Sequence, residues 1–328
     1  MSTTPLTLSF AGQQPPIALP QVPGTRGPVG VDMRGLNQSG FCSYDPGFAN
    51  TAGCQSAISW IDTENSVLLH RGYPVDQLAR QCDFLEVAYI MLNGDAPDEA
   101  SYQTFRETIT RHTLVHEQIA RMCSGFRRDS HPMALMCALV GALAAFYHDV
   151  LDVENPQHRA LAATRLLSKM PTIAAMSYKY TIEQPAAYPR NDLSYAGNFL
   201  QMLFAIPAEK YVLNPVIEQA MNQILVLHAD HGQCASTTTV RAAGSSGANL
   251  FACVAAGLAS LWGPMHGGAN ESSMRMLEEI ESVDQVPAFL RQAKRDPQAF
   301  RRLGFGNSRY RHRDPRARGQ PLRQRRPR

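Results

Sequence analysis

Three short segments of this 328-residue chain carry side chains whose types and spacing could do chemistry. The first is Leu227-His228-Ala229-Asp230-His231-Gly232-Gln233. On a helix, residues three apart point about 60° from one another, so His228 and His231 share a face and continue the apolar stripe of Ile217, Met221 and Ile224. A polar ring on a buried face needs a hydrogen-bond partner or a ligand, because leaving it unpaired costs about 1–3 kcal/mol. Two satisfied core histidines meet that need, and so does recognition of an anion or a carbonyl group. A metal centre does not follow, since no further Cys, His or carboxylate cluster stands at ligand spacing and the pattern is not His-Glu-x-x-His.

The second segment is Trp262-Gly263-Pro264-Met265-His266-Gly267-Gly268-Ala269-Asn270-Glu271. Here a histidine lies between a helix-ending Gly-Pro and a new helix expected to be capped by Asn270. Near a helix N-terminus the dipole favours the neutral imidazole, which can donate a hydrogen bond to a carbonyl oxygen that is becoming an enolate. A turn histidine among glycines chosen for chain reversal is the plainer alternative. The third segment runs from Gly304 through Asn307, Arg309, Arg311 and Arg313 to Arg316. Guanidinium forks of this kind suit carboxylates and phosphates.

These segments must be held by the elements around them. Residues 1–50 are rich in Gly, Pro, Ser and Thr with short alternating pieces such as Leu6 to Phe10, and Ser56 to Leu69 continues the alternation, so short strands and turns are expected. From Pro74 the period becomes helical, with Val75, Leu78 and Ala79, then Phe84, Val87, Ala88 and Met91. Asn214-Pro215 is a cap followed by proline at the first helical position. Leu250 to Trp262 reads as a helix whose small residues let a neighbour approach closely, and Gly263-Pro264 ends it.

Composition bounds the rest. With 44% hydrophobic and 18% charged residues the chain can build a sizeable core. The longest apolar stretch, Ala134 to Tyr147, has fourteen residues, against about 20 for a bilayer span. No secretory signal or Arg-rich transit peptide is evident at Met1 to Phe10, and a cytoplasmic protein is expected. Seven cysteines without a Cys-x-x-Cys pair point to small core residues rather than a disulfide framework. Of 31 basic and 28 acidic residues, eleven Arg and one acid fall in 301–328, so the remaining 300 residues carry 20 basic and 27 acidic groups. The last stretch of that terminal block, 318–328, has no interleaved aromatic residues for stacking, so nucleic acid is not an expected partner.

The motifs, taken together, resemble citrate synthase of the bacterial type with an N-terminal strand region. The resemblance rests on Tyr44-Asp45-Pro46-Gly47-Phe48, Leu68 to Pro74, Leu92-Asn93-Gly94, His228 to Arg241, Ala243 to Asn249 and Gly263 to Glu271, in that order, and covers about residues 30–300. It implies a mostly α fold with multi-helical large and small domains and a small β-rich N-terminal region. The expected organisation is a β-containing region over 1–65, a large helical domain over 66–272, an incomplete small domain over 273–317 and an aberrant basic tail over 318–328.

The resemblance also implies condensation of oxaloacetate with acetyl-CoA and water to give citrate and CoA, in a homodimer or homohexamer with no permanent cofactor, metal or membrane partner. It places His266 on the enol form of the acetyl group, His231 and Arg316 on oxaloacetate, and Arg311 near the coenzyme A phosphates. A 2-methylcitrate synthase acting on propionyl-CoA is the close alternative; a non-catalytic fragment or interaction protein is the distant one. Two departures stand out. Asn307 follows Gly304-Phe305-Gly306 where the family has a ketone-polarising histidine, and the chain stops at Arg328 before the family's segment with the catalytic aspartate. Turnover near background and a reading-frame change beyond about residue 317 are therefore expected.

Overall fold

The computed structural model describes residues 4–10, 15–45 and 50–295. Asn307, Arg311, Arg316 and the 318–328 tail lie outside the described residues, as do Pro46, Gly47 and Phe48. The chain divides into two compact units, one of residues 58–270 and one combining 1–57 with 271–328.

In the second of these units, β1 (Leu6–Leu8) pairs antiparallel with β2 (Ile17–Leu19), and β3 (Gln21–Val22) with β4 (Gly30–Val31). A 3-10 stretch, Met33–Gln38, starts at Asp32, whose carboxylate accepts from the Arg34 N–H at 3.0 Å. The larger unit opens with a three-stranded sheet of β5 (Ser59–Asp62), β6 (Val67–His70) and β7 (Tyr73–Pro74), in which Ser59 pairs with His70 and Ile61 with Leu68. The alternation read in Ser56 to Leu69 is thus a hairpin.

Helices follow. The early set is α1 (Val75–Gln81), α2 (Phe84–Asn93), α3 (Glu99–Arg111) and α4 (Glu117–Met122). The central pair is α5 (Pro132–Phe146) and α6 (Pro156–Thr181), and α7 (Tyr195–Phe204) and α8 (Pro215–Leu227) come next. The last four described helices are α9 (Ala235–Gly244), α10 (Leu250–Leu261), α11 (Gly268–Glu279) and α12 (Val286–Arg295). Local rules explain most boundaries. Asp83, Asp98, Asn155, Ser194, Asn214 and Asn249 each accept a backbone N–H of the first turn, and Gly94 ends α2 in the left-handed region at φ 101°. None of the described helices is long and apolar enough to cross a membrane.

The core of the larger unit is built from Leu135, Leu139, Val140 and Leu143 of α5, Leu166 and Ile173 of α6, and Phe251 and Leu258 of α10. Small residues bring α10 close to its neighbours, as the sequence suggested. A Cβ at Gly257 would stand 2.6 Å from Val240 Cγ2 of α9, and one at Gly141 of α5 would rest 3.6 Å from the Ala255 Cβ. On α8 the expectation fails. Ile217 and Ile224 are exposed, and the helix packs instead through Val226 and through Asn222, whose side chain accepts from the Phe84 N–H at 2.8 Å and donates to the Cys82 carbonyl at 3.2 Å. One amide reaching two backbone groups selected a different face from the one apolar periodicity favoured.

Two lysines of α6 are buried, and neither pairs with a carboxylate among the described residues. Lys169 donates to the His112 and Leu114 carbonyls at 2.5 and 2.6 Å, and Lys179 to Gln184 Oε1 and the Ala205 carbonyl at 2.7 and 2.6 Å. Burial pushes the Lys169 ammonium down to about 8, and the Arg165 charge adds to the effect.

Two predictions follow from this packing. Gly257→Val should destabilise the fold by about 1–3 kcal/mol in a denaturant titration, because its branched Cβ meets another branched side chain. Between about pH 8 and the ordinary lysine value of 10.5, the unfolded chain holds more protons at position 169 than the folded one, so stability rises with pH in that window. Denaturation midpoints measured across that range should lose this rise in Lys169→Met.

Candidate functional site

The site assembles where α10 hands over to α11. The Gly267 N–H donates to the Leu261 carbonyl at 2.8 Å, the Gly268 and His266 N–H groups both donate to the Gly263 carbonyl, at 3.2 and 2.9 Å, and the Ala269 N–H returns to the His266 carbonyl at 3.1 Å. This coil needs glycine at 267, where a Cβ would lie 2.5 Å from the Leu261 oxygen. It differs in one respect from expectation: α11 begins at Gly268, so Asn270 belongs to its first turn and is not its cap. The coil takes the chain directly into the helix, leaving no separate capping residue at 270.

His266 is half-buried, and its Nε2 lies 2.7 Å from Ser236 Oγ. Ser236 sits in the first turn of α9, and the close α9–α10 contact at Gly257 brings the two together. Sequence reasoning missed Ser236. The only signal was its position just after the histidine-bearing segment, because a serine in a first helical turn is ordinarily a local capping group.

The His228–Gln233 segment is organised differently from the helical pair expected. α8 ends at Leu227, and His228 caps its C-terminus, donating from Nδ1 to the Ile224 carbonyl at 2.7 Å. His231 lies in the turn beyond. Both rings are exposed, with centroids 5.8 Å apart and edge to face. The reading of two histidines on a buried helical face is therefore corrected: the ring satisfied its own helix end, and the chain turned. The turn is held by Asp230, whose carboxylate accepts from the Gly232 N–H at 2.9 Å, and by Gly232 at φ 71°. A Cβ on Gly232 would rest 3.7 Å from Ile61 Cδ1, which places the turn against the β5–β6 hairpin. The Cys234 N–H donates to the Gly232 carbonyl at 2.8 Å, and Cys234 then caps α9.

A further histidine lies on the hairpin face that this turn meets. His70 of β6 is fully buried, its Nδ1 2.9 Å from Ser59 Oγ across the hairpin. Burial pushes its imidazole below the usual range, the Asp230 carboxylate opposes that shift, and the His231 ring adds to it. The three histidine-bearing pieces are thus connected through one stretch, 230–236: Asp230 and His231 act on His70, and Ser236 holds His266. Among the described residues no group of three or more His, Cys, Asp or Glu side chains could hold a metal ion. An imidazole fixed by a serine hydroxyl beside a glycine-lined turn can polarise a carbonyl or stabilise an enol oxygen.

Comparison with known proteins gives this arrangement a setting. Residues 47–322 match the family described as citrate synthase, C-terminal domain. Among solved structures, citrate synthase from Pyrobaculum aerophilum is 30% identical with a TM-score of 0.69, over 77% of this chain and 63% of that one. Citrate synthase from Thermotoga maritima MSB8 is 28% identical with a TM-score of 0.63, over 75% and 63%. The ternary complex of carboxymethyl coenzyme A and oxaloacetate with citrate synthase from Thermoplasma acidophilum is 27% identical with a TM-score of 0.68, over 76% and 64%. The chain spans somewhat less than two thirds of the length of these proteins.

Gly267→Ala tests the coil. Its methyl would press on a backbone oxygen rather than on a side chain that can yield, so a loss of about 1–3 kcal/mol in stability is expected by thermal melting.

Proposed function

Because the chain belongs to the citrate synthase family, we propose that its site is built for condensation of oxaloacetate with acetyl-CoA and water to give citrate and CoA. The observation that carries this reading is the His266 imidazole, fixed by Ser236 at 2.7 Å within a Gly-Pro-x-His-Gly-Gly coil. In this reading the ring hydrogen-bonds the thioester oxygen of the acetyl group as its methyl loses a proton and the oxygen gains enolate charge. A donor already oriented before the charge develops stabilises the transition state more than one that must reorganise, and such a donor is worth about 10²–10³ in rate. His231, exposed on the turn that Asp230 holds, is presented to a carboxylate of oxaloacetate.

The arginines complete the proposal from the sequence alone. Arg316 is assigned to an oxaloacetate carboxylate and Arg311 to the coenzyme A phosphates, where a planar fork can pair two oxygens at once. Asn307 stands where the family has a histidine. An amide can donate a hydrogen bond to the ketone but cannot become cationic, so polarisation of that carbonyl is weakened. The 328 residues taken alone, spanning less than two thirds of the length of the solved relatives, are proposed to bind substrate and to turn it over near background. The exposed apolar stripe of α8, with Val216, Ile217, Ile224 and Leu227, supports assembly of the chain as a homo-oligomer.

Calorimetric titration with oxaloacetate tests the reading. Binding is expected, with a loss of tenfold or more in His231→Ala, and absence of binding by the unsubstituted chain would refute it. In the same preparation, coenzyme A release from acetyl-CoA and oxaloacetate is expected to stay near the uncatalysed rate. Propionyl-CoA run in parallel distinguishes the 2-methylcitrate alternative.

A further inference from the structure

His70 has no role in the chemistry proposed above, yet its surroundings are unusual. It is the last residue of β6, it is fully buried, and no described protein group lies within hydrogen-bonding distance of its Nε2. A buried polar atom in that state costs free energy, so a purely structural position would favour an apolar residue there. The neighbouring strand supplies an orienting hydroxyl, since Ser59 and His70 are cross-strand partners and Ser59 Oγ lies 2.9 Å from Nδ1. When that hydroxyl donates to Nδ1, the ring proton resides on Nε2.

The sheet register says what that side of the hairpin meets. Side chains two apart along a strand share a face, so Ser59 and Ile61 of β5 lie on one face with their partners His70 and Leu68 of β6. Ile61 on this face is the residue against which Gly232 rests. The turn so placed contains Asp230, which uses its carboxylate to hold the Gly232 N–H, and His231 between them. The charges that act on the His70 ring come from this same turn, from Asp230 and His231.

We propose that His70 is a positioning residue, its Ser59-oriented imidazole supporting from beneath the Asp230–Gly232 turn that presents His231 to substrate. The imidazole lies on the hairpin face that Gly232 meets, and its N–H dipole favours the Asp230 carboxylate in the position where it accepts from the Gly232 N–H, which keeps the turn in one conformation. The part concerning substrate rests on the oxaloacetate reading; the part concerning the turn does not.

The experiment uses two isosteric halves of the imidazole. Asparagine reproduces the Nδ1 position and lacks the Nε2 side, whereas glutamine reaches the Nε2 position. Hydrogen exchange of the peptide containing Gly232, measured without ligand on the full chain, is expected to quicken tenfold or more in His70→Asn. It should stay within threefold of the parent in His70→Gln, with exchange in α5 unchanged in both. Exchange at Gly232 within twofold of the parent in His70→Asn, or equal quickening in both variants, overturns the proposal. Should His70→Asn fail to fold, Ser59→Ala decides: exchange at Gly232 at least threefold faster supports the proposal, and no change overturns it.

Oxaloacetate titration of the same proteins is expected to show binding weakened tenfold or more in His70→Asn and retained in His70→Gln. Undiminished binding in His70→Asn, with the turn loosened, overturns the positioning role. If the parent chain binds no oxaloacetate while the exchange pattern holds, the oxaloacetate reading falls and the support of the turn by His70 stands.

Discussion

The contact between Ser236 and His266 joins residues thirty apart in sequence and exists only because α9 and α10 approach closely. Gly257 is the condition for that approach, since any side chain there would collide with Val240. The same helix α10 is anchored on its other side by α5, with Gly141 facing Ala255, and contributes Phe251 and Leu258 to the main core. The distance between the serine and the imidazole therefore depends on apolar packing among α9, α10 and α5. Cores are close-packed and do not deform continuously, which is why a serine on one helix can orient a ring on the coil following another.

Around that contact, polar groups replace the usual local solutions with longer-range ones. The turn after α8 is governed by one carboxylate and one glycine with positive φ, and it rests on a hairpin more than 150 residues earlier in the chain. The ammonium groups of Lys169 and Lys179 take carbonyl oxygens at the ends of other segments in place of counter-ions. Asn222 bridges two backbone groups at the start of α2. Each of these ties loops and helix ends to the core, and a fold with this many fixed termini can hold histidines in defined orientations at its surface.

Much of this was legible from residue order. Capping residues and proline placed the start of α8 correctly, the small-residue pattern of Leu250 to Trp262 announced a closely packed helix, and period-two alternation marked the β5–β6 hairpin. The motif around His266 identified a histidine that the structure does set in a glycine coil. What could not be read were the partners. Periodicity continued α8 through His228 because it cannot see that an imidazole will cap its own helix, and it assigned Ile217 and Ile224 to the core because it cannot see a neighbouring Asn222 choosing the other face. Ser236 and His70 were invisible for a related reason: their significance lies in contacts across 30 and 11 residues, which spacing does not encode.

The central claim, that His266 and His231 belong to one site that receives a keto acid and an acyl thioester, is tested most directly by following the ring nitrogens of both histidines in an isotope-labelled chain by NMR. Addition of oxaloacetate is predicted to shift the His231 signals, and further addition of carboxymethyl coenzyme A to shift those of His266, while those of buried His70 move little. Histidine spectra that stay unchanged at saturating concentrations of both compounds would contradict the account.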